Sequence, residues 1–357
     1  MARLLTLIAA VAALSTSAAE AAPKIRVLYL DQSVGFVHRP VARPKNSNGP
    51  TPSEIALAEI GAKSGAFTVE STQDARTITP EKLKDVDVLA FYTTGELPIP
   101  AESWAAIQKW VESGKGGFVG LHSSTDTHWD YTGPGQTYTA FINGKFAGHP
   151  WTQGTPITVQ ALGGKDPLNT AWPARFAFAE EIYQYSDYDP AKVRVLQALD
   201  FTETPLKRPW FVPITWTRQI GQGRLFHTNL GHTPSTWDDP RYRAQILDAV
   251  RWTAHRAPFA AKEGAAKPNA DEQALWALRS LLAYDGRPKA DVEARVAKLA
   301  KTDSAWLRDA AGRTAALRPL WPAKPDSDKA PFETAYKALL AEVVARSDSI
   351  PSNGSPD

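Results

Sequence analysis

The sequence predicts an α/β fold in which a doubly wound, mostly parallel sheet carries an antiparallel extension and a C-terminal helical appendage. Strand-like and helix-like segments alternate four times between residues 25 and 121, which is typical of parallel βαβ units. Between residues 156 and 230, strand-like segments follow one another without long helices, which indicates antiparallel strands. Beyond Pro258 the composition shifts to Ala, Lys, Glu and Pro, which indicates helices outside the sheet.

The parallel half is predicted from apolar strands and well-defined helix ends. In chain order it comprises a strand at 25–30, a helix at 51–65, a strand at 67–70, a short helix from 79, a strand at 86–92, a helix at 100–113 and a strand at 116–121. Thr51-Pro52-Ser53-Glu54 reads as a capping box with proline at the first helical position. Trp104, Ile107 and Val111 recur at helical spacing, and Gly114 ends that helix.

The antiparallel half and the C-terminal helices complete the prediction. Strands are expected at 156–160, 180–185, 193–199, 213–220 and 224–230, with a hairpin turn at Gly221-Gln222-Gly223 and a helix from Asp239 to about His255. Amphipathic helices are expected at 271–283, 290–300, 305–317 and 331–345. We interpret these last helices as an appendage that covers an edge of the main domain, and we expect residues 347–357 to be disordered.

Bulk composition excludes several classes of function. The 357 residues carry a net charge of only +2, and Lys and Arg are dispersed along the chain, so nucleic-acid binding is not expected. The sequence contains no cysteine, which excludes disulfides, a cysteine nucleophile and thiolate metal ligands. No nucleotide cofactor is predicted, and the oligomeric state is not readable.

The N-terminus reads as a secretory signal peptide spanning residues 1–21. Arg3 supplies the positive region, residues 4–14 form a short apolar core, and Ala19-Glu20-Ala21 is a small-residue cleavage site. We therefore expect export to the periplasm or the extracellular space, and no later segment is long enough to span a membrane. The predicted organisation is a signal peptide (1–21), an α/β domain (22–258), a helical extension (259–346) and a disordered tail (347–357).

Several histidines follow predicted strand ends. His122 comes directly after the buried strand at 116–121, and His38 and His232 also follow strands, while His149 lies in a loop. Open α/β sheets bind ligands beyond the carboxyl ends of their strands, so these imidazoles are expected to converge. The convergence favours either a divalent metal site, with zinc or a similar ion held by these four histidines, or a general acid/base pair. No compact motif such as H-E-x-x-H supports the metal alternative, which rests on topology alone.

Other polar and aromatic residues extend this candidate site. With His122 and His232, Glu181 and Asp126 are the candidate catalytic residues, Asp126 either orienting His122 or capping a helix. The chain has 12 tryptophans, and aromatic faces suit the C–H faces of sugars. The candidate substrate-binding residues beside the motifs are Trp129, Trp151, Trp216 and Ser123. The remaining histidines, at positions 128, 227 and 255, are interpreted as structural or surface residues.

The motifs together resemble the ThuA-like (trehalose-utilisation) family, whose fold is similar to flavodoxin-like class I glutamine amidotransferases. The matching segments are Gly35-Phe36-Val37-His38, residues 117–127, Gly148-His149-Pro150, Glu181-Ile182-Tyr183, Pro213-Ile214-Thr215-Trp216 and Asn229-Leu230-Gly231-His232-Thr233. They extend over about residues 24–256. The nucleophilic cysteine of the amidotransferases corresponds here to His122, so the resemblance implies sugar metabolism and excludes glutaminase chemistry.

The resemblance implies action on oxidised (3-keto) glycosides or disaccharides by elimination, hydration or hydrolysis. A ketone at C3 acidifies the C2 hydrogen, so a histidine or glutamate base would remove it while the glycosidic oxygen leaves C1. The alternative is a non-catalytic sugar-binding or accessory protein, which would depend on the aromatic residues instead. A glycosidase with paired carboxylates is a third reading, but the sequence offers no persuasive second carboxylate.

Overall fold

A mixed sheet of nine strands forms the centre of the protein. The computed structural model describes residues 23–130, 133–162, 166–189, 192–200, 203–204, 212–257, 274–275, 278, 289–320 and 328–347. Within them the strands are β1 (Ile25–Leu30), β2 (Phe67–Thr72), β3 (Val88–Phe91), β4 (Gly117–Leu121), β5 (Lys145–Phe146), β6 (Pro156–Ala161), β7 (Arg175–Ala179), β8 (Tyr185–Ser186), β9 (Arg194–Leu199), β10 (Pro213–Ile220) and β11 (Gly223–Thr228). The order in the main sheet is β2-β1-β3-β4-β11-β10-β9-β6-β7.

The sheet order confirms the predicted fold class. The five strands β2, β1, β3, β4 and β11 are parallel to one another, whereas β10, β9, β6 and β7 extend the sheet from β11 in antiparallel pairs. The chain runs from β1 outward to β2 and then back to β3 on the other side of β1, so the winding direction reverses between β1 and β3. A crevice forms above the carboxyl ends of the strands at such a reversal, and this is where doubly wound proteins bind ligands.

The strand predicted at 180–185 is wrong. β7 occupies Arg175–Ala179, and the chain leaves the main sheet at Glu180. Beyond it, Ile182 forms an isolated bridge with Trp151, and β8 pairs with β5 in a separate two-stranded sheet. The carboxylate of Glu180 is fully buried and accepts hydrogen bonds from residues 231–236, so the chain is drawn across the carboxyl edge instead of along the sheet.

The main helices begin and end within one or two residues of their predicted bounds. They are α1 (Pro52–Ser64), α2 (Ala101–Glu112), α3 (Tyr138–Ile142), α4 (Pro240–Thr253), α5 (Lys289–Leu299), α6 (Ala305–Leu317) and α7 (Ala330–Ser347). At the start of α1, the hydroxyl of Thr51 accepts from the backbone of Glu54, whose carboxylate accepts from the backbone of Thr51. The short helix predicted from residue 79 is instead a 3₁₀ turn at Lys82–Asp85.

Glycine sets the distance between α4 and the central strand β4. A Cβ added at Gly117 would lie 2.4 Å from the carbonyl oxygen of Thr253, near the end of α4. Only glycine permits this close packing, since Cβ contacts under 3.0 Å are not tolerated. β4 is therefore fully covered, and all five of its residues are buried.

The C-terminal helices α5, α6 and α7 correspond to the predictions at 290–300, 305–317 and 331–345. Phe332, Tyr336, Leu339 and Val343 recur along one side of α7 and are buried in the same apolar cluster as the main domain. Most of the helix predicted at 271–283, the signal peptide at 1–21 and nearly all of the tail at 347–357 lie outside the described residues. None of the helices in the described ranges combines the length and hydropathy needed to cross a bilayer.

Candidate metal centre

Four buried polar side chains meet beyond the carboxyl edge of the sheet. His38 follows β1, His122 follows β4, Glu181 follows β7 and His232 follows β11. One potential ligand atom from each lies within 4.8 Å of those from the other three. The sequence places these residues up to 194 positions apart, and the strand order brings them together. We call this group the histidine–glutamate cluster.

The backbone of His122 makes a sharp turn directly after β4. Its φ of +41° lies in the left-handed region, which is uncommon for residues other than glycine and is retained mainly at functional positions. A 3₁₀ turn, His122–Thr125, begins at this residue. Such a strained strand-to-helix turn projects a side chain above the sheet edge, as the nucleophile elbow does in α/β-hydrolases. His122 is also the residue that, by the family resemblance, corresponds to the nucleophilic cysteine of the class I glutamine amidotransferases.

Hydrogen bonding fixes the tautomer of His122. Its Nδ1 lies 2.6 Å from the backbone carbonyl oxygen of Asn229, which can only accept a hydrogen bond, so Nδ1 carries the proton. Nε2 is therefore the nitrogen that can offer a lone pair to a metal, and it lies 3.7 Å from Oε1 of Glu181. Within the described ranges, Nε2 is buried without a hydrogen-bond partner. This arrangement is the one that metal-binding histidines adopt.

His38 and His232 complete a triangle of imidazoles. The ring centroid of His38 is 4.8 Å from that of His122 and 5.2 Å from that of His232, while the last two are 5.1 Å apart. Burial, with smaller contributions from the neighbouring imidazoles, lowers the pKa of His38 to about 2. Burial also lowers the pKa of His232. Both rings are therefore neutral near pH 7, and their lone pairs are available.

Glu181 brings negative charge to the three imidazoles. Its carboxylate lies 3.7 Å from His122, 3.8 Å from His232 and 3.6 Å from His149. Burial alone would raise the pKa of Glu181, but the neighbouring imidazoles, with His122 the strongest, outweigh burial and lower that pKa. The ionised carboxylate of Glu181 beside these ring nitrogens favours binding of a cation.

Glu180 positions the two segments that carry Glu181 and His232. Its carboxylate accepts hydrogen bonds from the backbone N–H of Gly231 at 2.9 Å, from the hydroxyl of Thr233 at 2.8 Å and from the hydroxyl of Thr236 at 2.7 Å. The backbone N–H of Thr233 also donates to it. The carboxylate is fully buried, so these donors replace the water it has lost.

Two further residues support the cluster. Asn229 accepts a hydrogen bond from the backbone of Tyr183 at 3.0 Å through its side-chain oxygen, in addition to its backbone contact with His122. The hydroxyl of Tyr183 lies 3.4 Å from Nε2 of His38. Burial, together with the charge of Glu181, raises the pKa of Tyr183 well above its usual value, so the hydroxyl keeps its proton. Both residues lie in the motifs of the family resemblance, but the sequence pattern predicted no specific role for either of them or for Glu180.

The structure separates the four predicted metal-binding histidines. His38, His122 and His232 belong to the cluster, whereas His149 lies outside it and Glu181 completes the set of four. The side chain of His149 is about half exposed and contacts Glu181 from the solvent side. Asp126 closes the turn after His122 through its backbone, and burial raises the pKa of its side chain to about 6. No helix starts at Asp126, so it caps the 3₁₀ turn from its C-terminal end.

The predicted substrate-binding residues fall into two groups. Trp129 is partly exposed and stacks on Phe146, whose ring contacts Tyr183 at a centroid distance of 4.4 Å. Trp151, Trp216 and Ser123 are fully buried. Trp216 donates from Nε1 to a backbone oxygen in α3 and packs against His227, which favours a packing role over contact with a ligand.

The donor set of the cluster fits a divalent transition metal. Metal–ligand bonds to imidazole nitrogen or carboxylate oxygen are about 2.0–2.2 Å long, so opposite ligand atoms around one ion lie about 4 Å apart. The four ligand atoms all lie within 4.8 Å of one another, which is close to this separation. Three nitrogens and one carboxylate oxygen suit Zn²⁺, Fe²⁺ or Mn²⁺ better than Ca²⁺, which prefers oxygen ligands.

Comparisons with known proteins agree with the motifs. The family profile described as "ThuA: Trehalose utilisation" matches residues 33–253. A ThuA-like protein from Bacteroides uniformis is 22% identical, with 66% of this chain and 93% of that chain covered and a TM-score of 0.48. A ThuA-like protein from Parabacteroides merdae is 15% identical, with 68% and 94% covered and a TM-score of 0.49. No curated protein matches the chain.

Proposed function

Because the chain belongs to the ThuA (trehalose utilisation) family, we propose that it is a metal-dependent enzyme that acts on oxidised (3-keto) glycosides or disaccharides. Family membership supports a carbohydrate-related role. The observation that carries the proposal is the histidine–glutamate cluster, in which three imidazoles and one carboxylate are buried around a common point. Burying such groups without hydrogen-bond partners costs stability, and a bound ion would offset that cost.

Three features make the cluster suitable for a metal. Nε2 of His122 and Nδ1 of both His38 and His232 are buried without hydrogen-bond partners in the described part of the chain. The tautomer of His122 is already the one that binds metals. Glu181 is ionised and adjacent to the imidazoles. A divalent ion held there would polarise the keto oxygen of the substrate as a Lewis acid.

The chemistry we propose is elimination at a 3-keto sugar. A base removes the proton from C2, the electron pair forms a C1–C2 double bond, and the glycosidic oxygen leaves C1 and takes up a proton. Addition of water across that double bond then gives net hydrolysis. In this proposal His38, His122, His232 and Glu181 would hold the metal, and proton transfer is assigned to His149 and Asp126, which lie beside the cluster and not in it.

Trp129 and Phe146 are assigned to sugar binding. Their stacked rings extend from the exposed surface to Tyr183, at the cluster, and the ammonium of Lys145 lies 4.9 Å from the Trp129 ring. An exposed aromatic face beside a charged group suits the C–H face and the hydroxyls of a pyranose. We also propose that the N-terminal signal peptide directs the protein to the periplasm or the extracellular space.

Elemental analysis followed by metal removal tests the proposal. We expect about one divalent ion per chain, loss of turnover of a 3-keto-glucoside after chelation, and recovery when Zn²⁺, Fe²⁺ or Mn²⁺ is added back. The corresponding unoxidised glucoside lacks the acidified C2 hydrogen and should not react. In D₂O, the metal-loaded protein should place deuterium at C2. A protein that binds the glycoside equally with and without metal, but neither turns it over nor exchanges the C2 hydrogen, would be a sugar-binding protein instead.

A further inference from the structure

An exposed apolar surface borders the cluster beside His38. It is formed by Val34, Phe36 and Val37, which are 52%, 67% and 53% exposed, and we call these three side chains the apolar lip. The ring of Phe36 meets that of His38 edge-on at a centroid distance of 4.8 Å. The apolar lip is therefore continuous with the candidate metal centre.

Backbone contacts hold the apolar lip in its exposed position. The N–H of Val34 donates to the carbonyl oxygen of Thr94 at 2.8 Å, and the hydroxyl of Thr94 donates to the carbonyl oxygen of Phe36 at 2.8 Å. Gly35 packs directly on Gly95, where a Cβ would approach the nitrogen of Gly35 to 2.7 Å. These two backbone groups of the lip are occupied by Thr94 in the loop after β3, and the exposed side chains of the lip offer only hydrocarbon to a ligand.

The same backbone ladder links the apolar lip to the turn after β4. Ser33 bridges to Thr94, and Gly95 bridges to Thr127, in a parallel arrangement. The loops after β1, β3 and β4 therefore lie side by side above the carboxyl edge of the sheet. A molecule bound at the cluster lies next to all three loops.

We propose that the apolar lip binds the leaving group of the substrate and that this group is an apolar, preferably aromatic, aglycone and not a second sugar. The inference rests on the proposed function and specifies its substrate class. The side chains of the lip carry no hydrogen-bonding groups, whereas a sugar ring would bring several hydroxyls that require partners. Trp129 and Lys145, beside Phe146, offer an aromatic face with a charge and suit the polyhydroxylated ring.

Binding of two unoxidised glucosides tests the subsite without chemistry. Phenyl and methyl glucosides of the same anomer are titrated into the metal-loaded full-length protein by calorimetry. We expect the phenyl glucoside to bind the wild type about tenfold more tightly. In the double variant Phe36→Ser with Val37→Ser, the ratio of the two affinities should fall to within about twofold. Ile55→Ser, at a 47% exposed apolar residue of α1, is the control and should keep the wild-type ratio.

The outcomes separate this inference from the proposed function. An affinity ratio that is the same in the wild type and the double variant overturns the subsite. Light scattering that shows a wild-type dimer and a monomeric double variant also overturns it, because the lip is then an interface between copies of the chain. If the wild type neither turns over a 3-keto-glucoside nor exchanges its C2 hydrogen, but the ratio still falls in the variant, the reaction is wrong and the subsite stands.

Discussion

Nδ1 of His122 donates a hydrogen bond to the backbone carbonyl oxygen of Asn229, 107 residues further along the chain and 2.6 Å away. The bond joins the end of β4 to the end of β11, its parallel neighbour. It also determines which nitrogen of the ring keeps a lone pair and turns that nitrogen towards Glu181. One backbone contact thus sets both the position and the tautomer on which the histidine–glutamate cluster depends.

Replacing this ring should remove metal binding and leave the fold intact. For His122→Asn we expect metal content below one tenth of the wild-type value and a loss of turnover of at least about 100-fold. Asparagine tolerates the left-handed conformation at this residue, so the free energy of unfolding of the metal-free protein should change by less than about 1 kcal/mol. Elemental analysis, a turnover assay and urea denaturation measure the three quantities.

His255 provides a matched control for that substitution. It is also a histidine in the left-handed region, with φ of +56°, but it is exposed at the end of α4. His255→Asn should leave metal content and turnover at wild-type levels. Retention of both in His122→Asn as well would show that the cluster is not the active site.

The histidines of the site could be predicted because they follow strands. Parallel strands end at a common edge, so His38, His122 and His232 had to approach one another once the fold class was known. The choice between His149 and Glu181 as the fourth member could not be predicted, because both lie in irregular segments whose paths depend on long-range contacts. The supporting role of Glu180 could not be predicted for the same reason, since its hydrogen-bond donors lie 51 to 56 positions further along the chain.

Local chemistry decided which elements of the fold were predictable. The predicted start of α1 was correct because the side chains of Thr51 and Glu54 each accept a hydrogen bond from the other residue's backbone N–H, a contact within one helical turn. The segment at 180–185 contains apolar and aromatic residues in a strand-like pattern, but its first glutamate is buried against residues 231–236. A tertiary contact overrode the local preference there.

Weakening the Glu180 contacts should lower metal affinity. In Glu180→Gln, the amide NH₂ would face donors that need an acceptor, so the segments carrying Glu181 and His232 should separate. We expect the metal dissociation constant to rise about tenfold or more and the free energy of unfolding to fall by about 1–3 kcal/mol. Excess metal should restore turnover, which it would not do for a variant that had simply unfolded. Glu70→Gln on the surface is the control, and equal metal affinity in both variants would contradict the positioning role.

The two tryptophans should respond to alanine substitution in opposite ways. Trp129→Ala removes a partly exposed ring, so glucoside affinity should fall several-fold while the free energy of unfolding changes by less than about 1 kcal/mol. Trp216→Ala opens a cavity in the core and removes the hydrogen bond to Ile142, so the free energy of unfolding should fall by about 3–5 kcal/mol. Calorimetric titration and urea denaturation separate the two effects. Unchanged sugar affinity in Trp129→Ala would remove this residue from the binding site.

Asp31 should make stability fall as pH rises. Burial, and then the charge of Glu54, raises the pKa of this fully buried carboxyl from 3.8 to about 7 in the folded protein. The folded state therefore binds the proton more tightly than the unfolded state, and the contribution present below pH 4 is lost as pH rises towards 7. Asp31→Asn removes the titrating group. The free energy of unfolding of the variant minus that of the wild type should therefore be larger at pH 7.5 than at pH 4 by about 2–4 kcal/mol. Urea denaturation of the metal-free proteins at the two pH values measures the change, and a constant difference between variant and wild type would show that Asp31 is ionised throughout.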